Sequence, residues 1–379
     1  MVTKSKEPVI VVLQLSGGND YFNTVIPYND SNYYDNRRSL SIPEADMLAI
    51  DTEYALHPSM SPMRDIYKKG NMAIIHGIGY ANSPRSHFRS MDIWHTAEPD
   101  KVGTEGWLGR AIRELDPEGE NPVTAVNIGQ GLPRALVTPG VSVASVADLS
   151  TYGLLTSVEQ DQVREKMLTR FSNMYGAALG SGPVIDYLGQ TCIDALNGAD
   201  ILKVAPDIYE SNVEYADNSI AKNLRDVATI HKANLGTKVF YTQHGSFDTH
   251  AAQAPTHAQL WQEVSAAIQD FWDDLEETGH DENVVMFLFS EFGRRVRDNG
   301  SGTDHGAAGV SFVIGPKVNG GMYSRYPETR AEALEQGDLV PNQDFRGVYT
   351  TLLEDWLEVE AAPIVNGAFS SEKFIQSSN

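Results

Sequence analysis

Short apolar runs, most of them followed by a polar cluster, recur along this chain of 379 residues. Runs this short and this apolar are typical of strands buried on both faces, as in a parallel sheet. The pattern therefore predicts an α/β fold, with a mostly parallel sheet flanked by helices. The predicted strands are 9–15, 72–75, 123–128, 239–241, 284–289 and 310–314.

Helical spacing lies between the apolar runs. Apolar residues three and four positions apart predict helices, which we place at 60–70, 107–115, 256–278 and 349–357. The segment 157–235 has this spacing without a strand-like run, which predicts a helical insertion or cap within a single α/β domain covering 1–379. The polar segment 82–92 is predicted to be a loop.

Charge narrows the classes of partner. The chain carries 29 basic and 51 acidic residues, a net charge of −22. Such a surface repels phosphate backbones, which argues against nucleic acid as a partner. A small anionic substrate fits if metal ions or local arginines reverse the field at its site. The oligomeric state does not follow from these numbers.

Membrane and export signals are not apparent in the sequence. The longest apolar run falls short of the roughly 20 residues that a membrane span requires. Residues 1–8 lack the apolar core of a signal peptide. We therefore expect a cytoplasmic protein without a membrane partner, or an exported one if a signal preceded this chain. The single cysteine, Cys192, excludes an intrachain disulfide.

Carboxylates and histidines beside the predicted strands are candidate metal ligands. Asp248 and His250 follow one strand, and Asp304 and His305 precede another. In open α/β sheets ligands bind beyond the carboxyl ends of the strands, and a carboxylate with an imidazole commonly binds divalent metals. Asp20, after the first strand, is a further candidate ligand, with an ordinary turn aspartate as the alternative.

A serine and a histidine flanked by arginines are candidate catalytic residues. Ser86 and His87 lie between Arg85 and Arg89. A hydroxyl nucleophile needs a metal or a base to lower its pKa, and arginines bind anionic oxygens. An ordinary polar loop is the alternative interpretation of this segment.

Glu291 follows the strand at 284–289 and is a candidate metal ligand or general base. The alternative is a salt bridge to Arg294 or Arg295. His244 is left without an assignment. The other histidines lack convergent partners in sequence and are interpreted as structural, namely His57, His76, His95, His231, His257 and His280.

An ordered set of motifs resembles the bacterial sulfatase-like proteins of unknown function, which are grouped with the alkaline phosphatase superfamily. The resemblance implies a parallel-sheet core and metal-dependent hydrolysis or transfer of phosphate or sulfate esters. The motifs are Leu15–Asp20, Arg85–Phe88, Gly106–Arg110, Phe247–His250, Ser290–Arg294 and Gly302–Gly306.

The resemblance also implies roles for individual residues. Ser86 is similar to the nucleophile, Asp248 and His250 to a ligand pair, and His305 to the last histidine ligand. Asp20 is the nearest match to an early strand-end aspartate. The sequence departs from the superfamily after 284–289, where Glu291 stands in place of an Asp-His pair.

Three functions are compatible with these residues. The first is a metal-dependent hydrolase of anionic esters, phosphate before sulfate, with Ser86 as nucleophile and Arg85 or Arg89 binding oxygens. It would use one or two divalent ions, for which zinc, manganese and iron suit the ligands better than calcium. The second is a non-catalytic metal- or ligand-binding protein on the same fold, favoured by the histidine missing beside Glu291. The third is a phosphoryl transferase or mutase, in which the cap would exclude water.

Overall fold

A computed structural model of the chain describes residues 7–152, 161–176 and 182–377. Strands and helices alternate through most of the described chain. The strands are β1 (Val9–Leu15), β2 (Val25–Ile26), β3 (Leu48–Ala49), β4 (Ala55–Leu56), β5 (Met72–Gly79), β6 (Ala125–Ile128), β7 (Ala144–Val146), β8 (Val239–His244), β9 (Val284–Phe289), β10 (Gly309–Ile314), β11 (Gly321–Tyr323) and β12 (Gln343–Asp344).

The helices cover the sheet and its loops. They are α1 (Tyr21–Thr24), α2 (Ser31–Asn36), α3 (Ser61–Lys68), α4 (His87–Thr96), α5 (Trp107–Leu115), α6 (Asp161–Gly176), α7 (Pro183–Leu202), α8 (Ala205–Ile208), α9 (Ser219–Lys232), α10 (Gln253–Thr278), α11 (Phe345–Thr351) and α12 (Ala362–Val365), with a π-helical turn at Leu352–Trp356. Among the described helices, none combines the length and apolarity that a membrane crossing requires.

The main sheet of the described chain has nine strands in the order β11-β5-β10-β9-β1-β8-β6-β7, with β12 also paired to β5. β1 pairs in parallel with both β8 and β9, and β6 pairs in parallel with β7 and β8. β10 is antiparallel to both of its neighbours. The predicted α/β fold with a mostly parallel sheet is confirmed.

The sheet lies between two apolar layers, which explains why its strands read as continuous apolar runs. In β1, Val11 and Leu13 face one core, which includes α3, α9 and α10. Ile10 and Val12 face the other core, which includes α4, α5 and α11. Because successive side chains of a strand point to opposite faces, burial on both sides requires apolar residues at nearly every position.

The strand directions bring distant loops to one edge of the sheet. β1, β8 and β9 run in parallel, and β5 shares their direction because each of β5 and β9 is antiparallel to β10. The segments that follow β1, β5, β8 and β9 therefore leave from the edge at which β10 begins. This edge carries most of the candidate ligands.

The described residues of the predicted insertion 157–235 form the four helices α6–α9, and no strand occurs among them. Residues 157–160 and 177–181 lie outside the described part of the chain. α6 packs on α7, whereas α9 packs on α10 and β8 and belongs to the layer that covers the sheet.

The predicted loop at 82–92 is confirmed for residues 82–86, and the prediction was wrong for 87–92, because helix α4 begins at His87. The first turn of α4 shows little amphipathic pattern, since Phe88 is 92% exposed. Burial of Ile93 and Trp94 in the second core stabilises the helix, and this contact comes later in its sequence. The last predicted helix also begins earlier, at Phe345, and ends in a π-helical turn.

Candidate metal centre

Four side chains from separate segments converge at the edge of the sheet where β10 begins. One ligand atom from each of His87, Asp248 and His305 lies within 4.8 Å of the others. His250 joins them, with its Nε2 3.0 Å from His305 Nε2 and 3.0 Å from Asp248 Oδ1. We call these four residues the metal cluster.

Each histidine of the metal cluster has its Nδ1 atom beside an acceptor. His87 Nδ1 lies 2.8 Å from Glu291 Oε1, and His305 Nδ1 lies 2.9 Å from the Arg85 carbonyl oxygen. His250 Nδ1 lies 3.3 Å from Asp304 Oδ1. A carboxylate or carbonyl oxygen accepts a proton, so Nδ1–H donates in each ring. In the neutral rings Nε2 then carries a lone pair.

The Nε2 atoms of the three histidines lie close enough together to share one cation. His87 and His305 have their Nε2 atoms 3.0 Å apart, as do His250 and His305. In the neutral rings these contacts bring lone pairs together, and either a shared proton or a bound cation relieves their repulsion. A divalent ion resolves the conflict, since two ligands at about 2.05 Å from a tetrahedral ion lie roughly 3.3 Å apart.

The donor set of three imidazoles and one carboxylate suits zinc, manganese or iron better than calcium, which prefers oxygen ligands. The hydrogen bonds that His87 and His250 donate to Glu291 and Asp304 fix the orientation of the two rings, as carboxylates beside metal-bound histidines commonly do. The residues present therefore fit a divalent transition metal.

Arg294 holds Asp248 in its charged form. Arg294 is 1% exposed, and its Nη2 lies 2.7 Å from Asp248 Oδ1. Partial burial raises the pKa of Asp248, but the hydrogen bond and the charge of Arg294, together with the neighbouring histidines, outweigh it and lower the pKa to about 2. The guanidinium also donates to the carbonyl oxygens of Gly17, Gly18, Phe247 and Thr303.

Glu291 orients a ligand instead of joining the ligand set. Its buried carboxylate accepts from His87 Nδ1 and from the Gly17 N–H, at 2.9 and 3.1 Å from its two oxygens. The hydrogen bond to Glu291 raises the pKa of His87. Within the described residues the alternative salt bridge to Arg294 or Arg295 is not formed, because Arg294 pairs with Asp248 and Arg295 pairs with Asp338.

Two glycines bring the loops of the metal cluster into contact. A Cβ atom on Gly17, whose φ is +123°, would lie 2.4 Å from the Asp248 nitrogen. A Cβ on Gly306 would lie 2.6 Å from the Arg294 carbonyl carbon. These glycines serve close backbone packing between loops, which then places Asp248 and His305 together.

Asp20 is not brought to the metal cluster. It is fully buried and forms a two-pronged ion pair with the equally buried Arg37, and Gln253 donates to it as well. Burial raises the pKa of Asp20, but Arg37 outweighs burial and lowers it overall. The turn after β1 points this carboxylate into the protein, so its contacts support a structural role.

The arginines flanking Ser86 are engaged away from the metal cluster. The Arg85 guanidinium donates to Asp338 and to Gln336. The Arg89 guanidinium pairs with Asp92 and donates to the carbonyl oxygens of residues 98, 99 and 101. These contacts do not support the predicted binding of substrate oxygens by either side chain.

Ser86 caps α4 through its backbone and lies directly before His87. Its side chain is half-buried, and its hydroxyl forms no hydrogen bond within residues 7–152, 161–176 and 182–377. The predicted nucleophile is thus adjacent in sequence to a residue of the metal cluster and is committed to no other contact within those residues.

The remaining histidines lie outside the metal cluster. His244 Nε2 lies 3.3 Å from Glu263 Oε2, and burial lowers its pKa. Burial also lowers the pKa of His57 to about 3 and that of His76, His95 and His257 to about 4, so these rings are neutral at pH 7.

Sequence reasoning missed Arg294 as the partner of Asp248 and described His87 as a catalytic neighbour of Ser86. The ordered motifs contain both residues, which is the one signal that could have drawn attention to them. A buried arginine has no pattern of its own, because its partners are carbonyl oxygens from distant loops.

Comparison with known proteins gives a family without an assigned function. The model of a protein family of unknown function, DUF1501, matches residues 210–353. This range contains Asp248, His250 and His305 but not His87. No curated protein matches the chain.

Several solved structures are similar to the chain at low identity. The PsFucS1 sulfatase from Pseudoalteromonas sp. is 13% identical, with 97% of this chain and 71% of that chain covered and a TM-score of 0.44. The phosphonate monoester hydrolase of Agrobacterium radiobacter is 10% identical, with 96% and 78% covered and a TM-score of 0.40. A protein in the alkaline phosphatase superfamily from Vibrio parahaemolyticus is 8% identical, with 86% and 65% covered and a TM-score of 0.38.

Proposed function

We propose that this protein is a metal-dependent hydrolase of anionic esters, with phosphate esters preferred over sulfate esters. The observation that carries the proposal is the convergence of three imidazole Nε2 atoms and the Asp248 carboxylate in the metal cluster. Such a donor set is typical of a divalent transition-metal site, and metal ions are common catalysts of ester hydrolysis.

His87, Asp248, His250 and His305 would hold the ion. A divalent ion there supplies Lewis acidity and neutralises the charge that develops on ester oxygens. The protein's own groups keep the donor set ready to bind. Glu291 holds the proton on His87 Nδ1, and Arg294 keeps Asp248 ionised.

Ser86 is the proposed nucleophile, because its hydroxyl is next to His87 in sequence and is uncommitted. In the proposed reaction, Ser86 Oγ gives up its proton and bonds to phosphorus while the ester oxygen leaves and takes up a proton. Water then hydrolyses the phosphoserine ester and restores the hydroxyl. Since Arg85 and Arg89 are engaged elsewhere, charge neutralisation falls to the metal site.

A non-catalytic metal-binding protein is the second candidate. The observation that favours it is the engagement of both arginine side chains beside Ser86, which leaves neither of them ready for a substrate anion. In this case the ion would stabilise the junction of the loops that follow β5 and β8. The transferase alternative stays a prediction, because no contact among the described residues favours it.

Metal content is the first test. The protein is purified without chelator or immobilised metal as wild type, as the double variant Asp248→Ala/His305→Ala, and as His280→Ala. The control, His280, hydrogen-bonds Thr278 at the end of α10. We expect about one divalent ion per chain in the wild type and the control, and none in the double variant.

Hydrolysis of 4-nitrophenyl phosphate and 4-nitrophenyl sulfate is then measured for wild type and Ser86→Ala. Hydrolysis that needs both the ion and Ser86 supports the proposed enzyme. An ion without any hydrolysis supports the binding protein. A chain that takes up no zinc, manganese or iron contradicts both functions.

A further inference from the structure

We propose that the hydroxyl of Ser16 donates a hydrogen bond to an oxygen of an anionic ligand bound at the metal cluster. Ser16 belongs to the motif Leu15–Asp20, but neither the candidate roles nor the proposed reaction includes it. The inference rests on the ion and the anionic ester of the proposed function, and it names a further group that contacts the ester. It does not depend on hydrolysis, because a bound phosphate ion offers the same oxygens.

Ser16 lies directly after β1, between two segments that form the metal cluster. Its carbonyl oxygen accepts at 3.1 Å from the backbone N–H of the residue before Asp248. The N–H of Gly17 donates to Glu291 at 2.9 Å, and the same carboxylate accepts from His87. These hydrogen bonds fix the Ser16 backbone beside the segments of Asp248 and His87.

The Ser16 side chain lies on the face of the sheet that α4 covers. The Ser16 N–H continues the β1 ladder by donating to the His244 carbonyl oxygen, so Ser16 shares a face with Gln14. Gln14 Nε2 lies 3.0 Å from Met91 Sδ, one helical turn beyond His87. Two strand residues advance by about 6.6 Å and four helix residues by about 6 Å. Ser16 and His87 therefore come level at the edge of the sheet.

The orientation of the Gln14 amide leaves the Ser16 proton free for a ligand. Gln14 Nε2 lies 2.7 Å from Ser16 Oγ and 3.0 Å from Met91 Sδ. A thioether sulfur carries no proton, so the amide nitrogen donates to both atoms and Ser16 Oγ accepts. Among residues 7–152, 161–176 and 182–377, no acceptor takes the Ser16 proton. Because Ser16 is only half-buried, a ligand in the site can reach it.

A buried network holds Gln14 in this orientation and strengthens the donor. Gln14 is 1% exposed, and its Oε1 accepts from the Tyr241 hydroxyl and lies 2.8 Å from His95 Nε2. Hydrogen bonds in a chain polarise one another, so donation by Gln14 to Ser16 Oγ makes the Ser16 O–H a stronger donor. Donors that are fixed before a ligand arrives bind anionic oxygens without reorganising. The network therefore suits Ser16 to an anionic ligand.

The test measures binding of inorganic phosphate and does not use catalysis. The full chain is loaded with zinc or manganese, and phosphate affinity is measured by equilibrium dialysis together with metal content. Ser16→Ala removes the hydroxyl, and Ser16→Thr keeps it. The control is Ser145→Ala in β7. Ser145 is also half-buried and accepts from a carboxamide, Asn127 Nδ2 at 3.0 Å. Its proton, however, is already donated to the Gly131 carbonyl oxygen.

We expect Ser16→Ala to bind phosphate about 10- to 100-fold more weakly than wild type, because a hydrogen bond to a charged oxygen is lost. Its metal content should equal that of the wild type. Ser16→Thr should restore phosphate binding, and Ser145→Ala should match the wild type. A merely structural role of Ser16 would not weaken phosphate binding at unchanged metal content.

Equal phosphate affinity in wild type and Ser16→Ala overturns the inference, as does loss of the ion in Ser16→Ala or the absence of phosphate binding in the metal-loaded wild type. The outcome for the enzyme is separate. Phosphate binding that needs Ser16, without hydrolysis of 4-nitrophenyl phosphate, supports this inference and contradicts the hydrolase. Hydrolysis with the same kcat/KM in wild type and Ser16→Ala supports the hydrolase and overturns this inference.

Discussion

Replacement of Asp20 by asparagine separates a structural carboxylate from a metal ligand. Asp20 and Arg37 have side chains with 0% exposure, and the guanidinium contacts both carboxylate oxygens. Arg37 also donates to the carbonyl oxygens of Val296 and Arg295, at 2.7 and 3.0 Å. Asparagine keeps the shape of the side chain but leaves the buried positive charge without a counter-ion.

The size of the expected loss in the free energy of unfolding follows from the burial of both charges. Removing one partner of a buried ion pair costs about 3–5 kcal/mol, because the other charge stays desolvated and uncompensated. The introduced amide would add one mismatched contact, since its NH₂ group would face a guanidinium N–H or the donating amide of Gln253. We therefore expect Asp20→Asn to lower the free energy of unfolding by at least about 3 kcal/mol.

The assay is urea unfolding of wild type and Asp20→Asn, with metal content measured on the same samples. Asp20→Leu/Arg37→Met removes both charges at similar volume, and we expect it to be less destabilising than Asp20→Asn alone. Metal content should stay at the wild-type value in Asp20→Asn. A loss below about 1 kcal/mol would refute the buried-pair reasoning, since exposed pairs cost this little. Loss of metal to the extent seen in Asp248→Ala would restore Asp20 as a ligand.

The difference in the free energy of unfolding between wild type and Asp20→Asn should also depend on pH. Arg37 lowers the pKa of Asp20 in the folded protein, whereas in the unfolded chain it is about 3.9. The pair therefore stabilises the fold fully above about pH 4 and loses this contribution as pH falls through the lowered folded pKa. The difference between wild type and Asp20→Asn should narrow in strong acid, where Asp20 is protonated.

Three further predictions address the site and the core. Glu291→Gln should weaken metal binding about 10- to 100-fold by chelator competition, because the residue orients a ligand; unchanged affinity would contradict this role. Gly17→Ala should cost more than about 2 kcal/mol in urea and weaken metal binding, because its Cβ would lie 2.4 Å from the Asp248 nitrogen. The matched control Gly119→Ala, with φ 64° and nothing within 4 Å, should cost only about 1 kcal/mol. His257, whose pKa burial lowers to about 4, is protonated near pH 6.5 only in the unfolded chain. The free energy of unfolding should therefore lose about 2 kcal/mol between pH 7 and pH 5 through this histidine, and this loss should be absent in His257→Gln.

The sequence by itself determined the α/β class and the position of most core strands. Burial on both faces forces a strand such as Val9–Leu15 to be apolar almost throughout, and this constraint is visible within a few residues. The placement of Asp248 and His305 near one edge also follows from local order, since polar residues beside strand ends meet where parallel strands end. Their convergence is therefore the part of the site that the sequence predicted.

The tertiary structure alone decided the roles within the site. His87 meets Glu291 across 204 positions of sequence, and Asp20 meets Arg37 instead of the metal cluster. Arg294 reaches Asp248 only because glycines allow three loops to pack at backbone distance. A local pattern records which residues are apolar or polar and how they are spaced. The partner of a charged side chain depends instead on contacts between distant loops, and periodicity carries no information about those.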